Sequence, residues 1–198
     1  MVLPLSNCAE RGQVLVAGSV FLDVVMAGLA HAPRPGEEQW VSDCSIVPGG
    51  SANQAIALAR LGVDTALHCY LGTDRAGQMV REVLREEAVG IDSACAVERQ
   101  NVTVSLALDG DRAMTTVGTD AVPPLAPLPH APRGLVADLP TIQANLAQVR
   151  TWQEAEAPCT VFADARWDPS EQWDHSDLEP LEVVDVFTPN EGEALRYL

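Results

Sequence analysis

Short apolar runs separated by polar turns set the rhythm of this chain. Residues 13–18 ("QVLVAG") are apolar almost throughout and end in glycine, the pattern of a strand buried on both faces. Residues 20–26 continue in extended form, interrupted by a single acid, Asp23. After the turn "HAPRPGE" a further strand is predicted over 39–47, and "PGGSAN" leads into a helix. There Ala52, Ala55, Ile56 and Ala59 recur at helical spacing, and Leu61-Gly62 supplies the stop. Residues 65–71 predict another strand. Asp74 then caps a helix whose Met79, Val80, Val83 and Leu84 share one face, closed by Gly90.

The middle of the chain has a different period. "NVTVSLALDGDRAMTTVG" alternates apolar and polar residues about Asp109-Gly110, which predicts a hairpin. The proline-rich "AVPPLAPLPHAPRG" predicts a loop or short helical crossing. Beyond it come a strand at 135–138, a helix over 141–155 with Ile142, Leu146, Val149 and Trp152 in one stripe, and a strand at 159–163. A polar segment holding Trp167 and Trp173 leads to a last strand at 184–187, the turn Thr188-Pro189-Asn190 and a helix begun at Glu191. Strand–helix alternation predicts an α/β domain with a mostly parallel sheet, and the segments at about 20–47 and 101–117 predict a small second sheet beside it. Ligands of such folds bind at the carboxyl ends of the strands. Asp23, Gly49-Gly50, Asp164 and Asn190 all fall near such ends.

Composition narrows the chemistry. The net charge is −16, from 28 acidic and 12 basic residues among 198, a field that repels nucleic acid and anionic membrane. Every basic residue is arginine, so a Walker A loop, a Schiff-base lysine and a lysine nucleophile are excluded. No G-x-G-x-x-G and no G-x-S-x-G occurs, which removes the dinucleotide fingerprint and the hydrolase elbow. Five scattered cysteines without a C-x-x-C pair predict reduced thiols and no zinc site. The opening "MVLPLSNCAERGQ" has no positive n-region, and no apolar run is long enough to span a bilayer, so a cytoplasmic protein is expected. The four histidines have no ligand-like spacing and are expected to be structural.

Three stretches carry candidate chemistry. In "PGGSAN", Gly49 and Gly50 let backbone approach a ligand at a helix N-terminus, and Asn53 can donate to a hydroxyl; a tight turn with Ser51 as N-cap fits the same residues. Asp23 lies in an apolar stretch, where its carboxylate can accept from vicinal hydroxyls or face solvent as a strand-end acid. In "TPNEGE", Asn190 and Glu193 share a helix face, suited to orienting hydrated Mg²⁺ and equally to a capping box. Asp164 and Asp168 of "DARWD" are either accessory metal groups or exposed loop charge.

In order along the chain, "VLVAGSVFLDVV", "PGGSANQAIALARLG", "YLGTDRAGQMVREVLREEAVGID", "DGDRAMTTVG" and "TPNEGEA" resemble the ribokinase-like, or PfkB, family of carbohydrate and nucleoside kinases, over nearly the whole length. The resemblance implies a three-layer αβα sandwich with a small β-sheet lid. It implies that Asp23, Gly49, Gly50, Asn53 and Arg112 hold a sugar, nucleoside or related polyol. It further implies that Asn190 and Glu193 organise ATP, with Glu193 acting indirectly on Mg²⁺, and that a homodimer can form through the lid. There are departures. "GGSAN" is one residue shorter than the commonest "GGxxAN", and Phe21 stands where ribose-phosphorylating members have asparagine, so an acceptor other than ribose is expected. The family's second signature, G-A-G-D, with its anion hole and catalytic aspartate, does not occur in these residues, and the chain stops in mid-helix. The resemblance therefore implies about the first two-thirds of a kinase, truncated at the C-terminus, with no catalytic residue to assign and no turnover. The other reading is a non-catalytic short form that binds a sugar or nucleoside.

Overall fold

The structure, a computed structural model, describes residues 13–198 apart from 109, 126, 127, 129 and 169. The opening that was read for a leader, Asp109 of the hairpin turn and part of the proline-rich crossing lie outside them. The described chain begins with β1 (Val14–Ala17) and passes through Gly18-Ser19 into β2 (Val20–Ala27) and β3 (Asp43–Gly50). Next come α1 (Ser51–Arg60), β4 (Thr65–His68), β5 (Tyr70–Gly72), α2 (Arg75–Glu86) and β6 (Cys95–Val97). The hairpin strands β7 (Asn101–Leu108) and β8 (Asp111–Val117) follow, then β9 (Gly134–Asp138), α3 (Leu139–Ala144), α4 (Leu146–Gln153) and β10 (Thr160–Asp164). A 3-10 helix at His175–Val183, β11 (Val186–Phe187) and α5 (Glu191–Arg196) complete it.

Five strands form the central sheet in the order β11-β10-β9-β1-β4, and every pairing in it is parallel. Parallel strands need helical crossovers, and these cover both faces. Alternate residues of β1 show why. Leu15 and Ala17 join Leu135, Ala137 and Val161 beneath Ile142, Val149 and Trp152, whereas Val16 and Leu67 pack against Ala52, Ala55, Val80 and Leu84 on the other side. That is the three-layer sandwich implied by the sequence. The order reverses about β1, with β4 on one flank and β9 on the other, so the switch point lies at the carboxyl end of β1. There the chain leaves to build the second sheet, β3-β2-β7-β8, which rises from that end as a lid.

Several elements depart from the sequence reading. The strand expected at 39–47 begins at Asp43 and runs through Gly50, because β3 pairs along its full length with β2, from Ala27↔Asp43 to Val20↔Gly50. "PGG" is therefore strand, not turn. The strand expected at 65–71 breaks at Cys69, beyond which β5 pairs with β6 in a separate two-stranded ladder. The helix after Gly134–Asp138 starts at Leu139 and breaks at Asn145. The Asn145 side chain donates to Thr141 O (2.8 Å) and accepts from Leu125 N (2.9 Å), displacing helical pairing. The helix after Asp74 ends at Glu86, with Ala88 rather than Gly90 in the left-handed region (φ 57°). The hairpin is present, Leu108 pairing with Asp111 across the turn.

Leu135 and Ile142 are fully buried from opposite layers of one core. Leu135→Ala and Ile142→Ala should each cost about 2–5 kcal/mol in urea unfolding. Leu61→Ala, on a side chain 80% exposed, should stay within about 0.5 kcal/mol.

Candidate functional site

The site grows from the junction of β1, β2 and β3. Register sets Phe21 opposite Gly49 and Asp23 opposite Val47. The Asp23 carboxylate lies over Gly49, where a Cβ would meet its Oδ2 at 1.9 Å, so only glycine leaves room for the acid. Gly50 has φ 63° and ends β3 against the Ser19 carbonyl, 2.4 Å from where a Cβ would stand. It, and not Ser51, is the N-cap of α1, with no side-chain capping bond. The first N–H of α1, that of Ser51, donates to Ser19 O at 3.0 Å, and Asn53 lies in the helix's first turn.

Alternate residues of the lid strands face one way. Phe21, Asp23 and Val25 from β2, Thr103, Ser105 and Ala107 from β7, and Arg112, Met114 and Thr116 from β8 line one cleft. Gly50 and Asn53 close its base, and its volume is about 740 Å³. Asp23, Thr103 and Thr116 share a row across the sheet, and the two threonine hydroxyls are 3.0 Å apart. Burial raises the Asp23 pKa above its ordinary value, while a hydrogen bond from Thr103 and the charge of Arg112 oppose that rise.

A second cavity of about 450 Å³ shares Phe21, Gly50 and Thr116 with the first and extends over the carboxyl ends of β9 and β10. Its floor is ionic. Arg166 donates from Nε to Asp138 Oδ2 (2.8 Å) and from Nη1 to Asp120 Oδ2 (2.9 Å). Asp120 Oδ1 accepts from Ser19 Oγ at 3.0 Å, and Asp138 Oδ1 caps α3 through Thr141 N at 2.8 Å. One arginine thus ties the segment that leaves the lid after β8 to β9 of the central sheet.

Asn190 and Glu193 form a reciprocal capping box, Glu193 N donating to Asn190 Oδ1 and Asn190 N to Glu193 Oε2, each at 2.9 Å. Neither lines the cleft beneath the lid. Asp164 lines the second cavity; burial raises its pKa, and the charges of Glu193 and Asp138 raise it further. Among the described residues no three acidic, histidine or cysteine groups converge as a closed metal cage. Mg²⁺ asks for less, one or two carboxylates with the rest water, and Asp164, with the charge of Glu193 felt at it, is a carboxylate of the kind that requirement takes. Asp168 is taken up locally by the backbone of Ser170, Gln172 and Trp173. His68 is buried between Ser93 O and Pro123 O, and burial lowers its pKa, as befits a structural residue.

Sequence reasoning missed Thr103, Ser105 and Thr116, although the alternation of "NVTVSLAL" already put the first two on the face shared with Asp23. Nothing local signalled the Asp120–Arg166–Asp138 network.

A family model described as pfkB family carbohydrate kinase matches residues 11–198. The chain belongs to the PfkB family. A ribokinase of Lactococcus lactis is 27% identical over 190 residues, covering 91% of this chain and 61% of its own length. A probable fructokinase-3 of Arabidopsis thaliana is 32% identical over 113 residues, 54% of this chain and 31% of the relative. Among solved structures, a ribokinase from Cryptococcus neoformans in complex with ADP superposes with a TM-score of 0.69 at 24% identity, covering 95% of this chain and 61% of that one. A PfkB protein from Polaromonas gives 0.70 at 17% identity, covering 95% and 68%. These two likenesses show the fold alone. The chain spans less than two-thirds of the length of the curated PfkB relatives named here.

Because burial raises the Asp23 pKa above 3.8, the charged carboxylate costs the fold stability at neutral pH, and that penalty disappears as pH falls below the unfolded value. Asp23→Asn should therefore melt higher than wild type at neutral pH, with the gap closing toward about pH 4. Equal melting differences at both pH values would contradict this electrostatic account.

Proposed function

We propose that this PfkB chain binds a small polyol, a sugar or nucleoside, beneath the lid, as the acceptor half of an ATP-dependent kinase site. The observation that carries the reading is the Asp23 carboxylate, held over Gly49 in a cleft whose other polar side chains are Asn53, Thr103, Ser105, Asp111, Arg112 and Thr116. A carboxylate kept short of full solvation, beside neutral donors and acceptors, suits vicinal hydroxyls. Its relatives support the donor: the fungal structure holds ADP, and an Arabidopsis ribokinase structure holds ribose and ATP. Phe21 lines both cavities at the position where the resemblance leads one to expect asparagine in a ribose site, which supports an acceptor other than ribose.

Asp23 and Asn53 orient the acceptor, the lid excludes water, and the first turn of α1 presents backbone N–H groups to it. Asn190, Glu193 and Asp164 are placed to hold the donor's hydrated Mg²⁺, which when bound neutralises phosphate charge. These 198 residues contain no G-A-G-D segment to supply a base for the acceptor hydroxyl. A missing general base costs about 10²–10⁴-fold in rate, so a polypeptide of these residues should bind acceptor without kinase-rate turnover. The lid's outer face supports a second copy as partner. Val24, Met26, Ile46, Val104, Leu106 and Val117 lie on it, with Ile46 50% and Val117 69% exposed, and a flat apolar sheet face is suited to two-fold self-association.

Calorimetric titration with a panel of sugars and nucleosides should find a binder whose affinity falls about 10- to 100-fold in Asp23→Asn. The same polypeptide should release no ADP above background; brisk acceptor-dependent ADP release would refute the non-catalytic part of this reading. Ile46→Asp should turn a dimer into a monomer in sedimentation equilibrium, and a wild-type monomer at high concentration would remove the lid dimer.

A further inference from the structure

Two features at opposite corners of the lid's outer face lie outside the acceptor site. One is Trp40, in the connection between the end of β2 at Ala27 and the start of β3 at Asp43, hence at the lid's free end. It is 89% exposed, a large aromatic surface left in water. Gln39 beside it donates to His31 O at 3.1 Å and ties the connection to itself. His31 lies 3.2 Å from Glu37, whereas Arg34 and Glu38 form no ion pair among the described residues. The other feature is a notch of about 630 Å³ at the root of β8, beside the β5-β6 ladder. Tyr70, Val97, Val117 and Ala121 supply its apolar lining, and Glu98 and Arg99 its charge. Neither charge has an ion-pair partner among the described residues. Val117 pairs with Val102 on the outer face and is 69% exposed, so the notch opens onto the aliphatic band of the lid.

We propose that these corners are the two halves of one contact between copies of this chain, Trp40 of each seated in the notch of the other. The proposal rests on the lid-dimer reading above and names its anchor. Strands β3 and β8 are the edges of the lid, so Trp40 at the free end of β3 and the notch at the root of β8 lie on a diagonal. Strand β7 alone advances about 23 Å from root to tip, which puts a chain's own notch out of reach of its own Trp40. A two-fold axis lying in the outer face, square to that diagonal, exchanges the two corners. The lids then stack with crossed strands, and both notches are filled at once. Tryptophan, tyrosine and arginine are the side chains that most often anchor interfaces, and Trp40, Tyr70 and Arg99 all meet here. Val97 and Val117 take the apolar body of the indole, and the Arg99 guanidinium is a cation for its π face. The charges are complementary as well: Arg99 answers Glu38, and Arg34 answers Glu98. Each copy has a net charge of −16, so an apolar face alone would join two mutually repelling chains. Opposite charges at the corners select the alignment in which the signs match.

The test is sedimentation equilibrium of the 198-residue chain. Wild type should dimerise, and Trp40→Ser should weaken the dimer about 30-fold or more. At dilutions where both are monomeric the two should melt alike, because Trp40 is already in water there. Glu38→Arg and Arg99→Glu should each weaken the dimer about tenfold, and the two together should return it to within about threefold of wild type. Recovery in the double variant separates a direct contact from two unrelated surface effects. The socket is overturned if Trp40→Ser dimerises as tightly as wild type, or if the double charge reversal is as weak as the single ones. Failure of the parent reading looks different: wild type stays monomeric at high concentration, or its dimer is indifferent to Ile46→Asp. A dimer lost in Ile46→Asp yet kept in Trp40→Ser retains the lid face and removes the socket.

Discussion

The close approach of the Gly49-Gly50 backbone to the start of β2 is the constraint on which the site depends. At Gly49 a side chain would occupy the space of the Asp23 carboxylate, and at Gly50 it would strike the Ser19 carbonyl. With both side chains absent, β3 pairs with β2 to its last residue and turns directly into α1 through a left-handed backbone. One short stretch therefore joins lid to core, gives the acid its place and starts α1 at the base of the cleft. Moving any of these would move the others.

Electrostatics adds a second tension. Asp23 and Asp164 are both driven toward their neutral forms by burial, and Asp164 also by acidic neighbours, in a chain already rich in negative charge. Such groups weaken a fold; Asp23 lies within the lid strand β2 and Asp164 at the carboxyl end of β10, each lining a cavity. Arg166 satisfies two acids and fastens the lid's exit to β9.

The lid's two faces differ in character. Its inner face alternates threonine, serine and charge toward the cleft, and its outer face carries a band of aliphatic side chains. An antiparallel sheet with one wet side usually buries its apolar face on its own core. Here only the base of that face does so, through Leu22 and Val102 against the layer of α1 and α2, and the rest stands away from the sandwich.

The sequence by itself determined the local elements, because burial imposes a period that a short window reveals. Apolar runs marked the central strands, alternation marked the hairpin, and Asn190 with Glu193 announced a cap that the structure forms reciprocally. The family motifs marked Asp23, Gly50, Asn53 and Arg112, and folding brought all four into one cleft. Only the tertiary structure decided which strands share a sheet. Residues 20–27 could have extended the central sheet; they join the lid because β2 pairs with β7, far along the chain. Pairing likewise made "PGG" a strand, and Asn145, by bonding Leu125, broke a helix whose stripe was continuous. Arg166 meets Asp138 and Asp120 across 28 and 46 residues of chain, and no local period records a contact of that span. Periodicity encodes which face is buried, and the fold alone encodes what it is buried against.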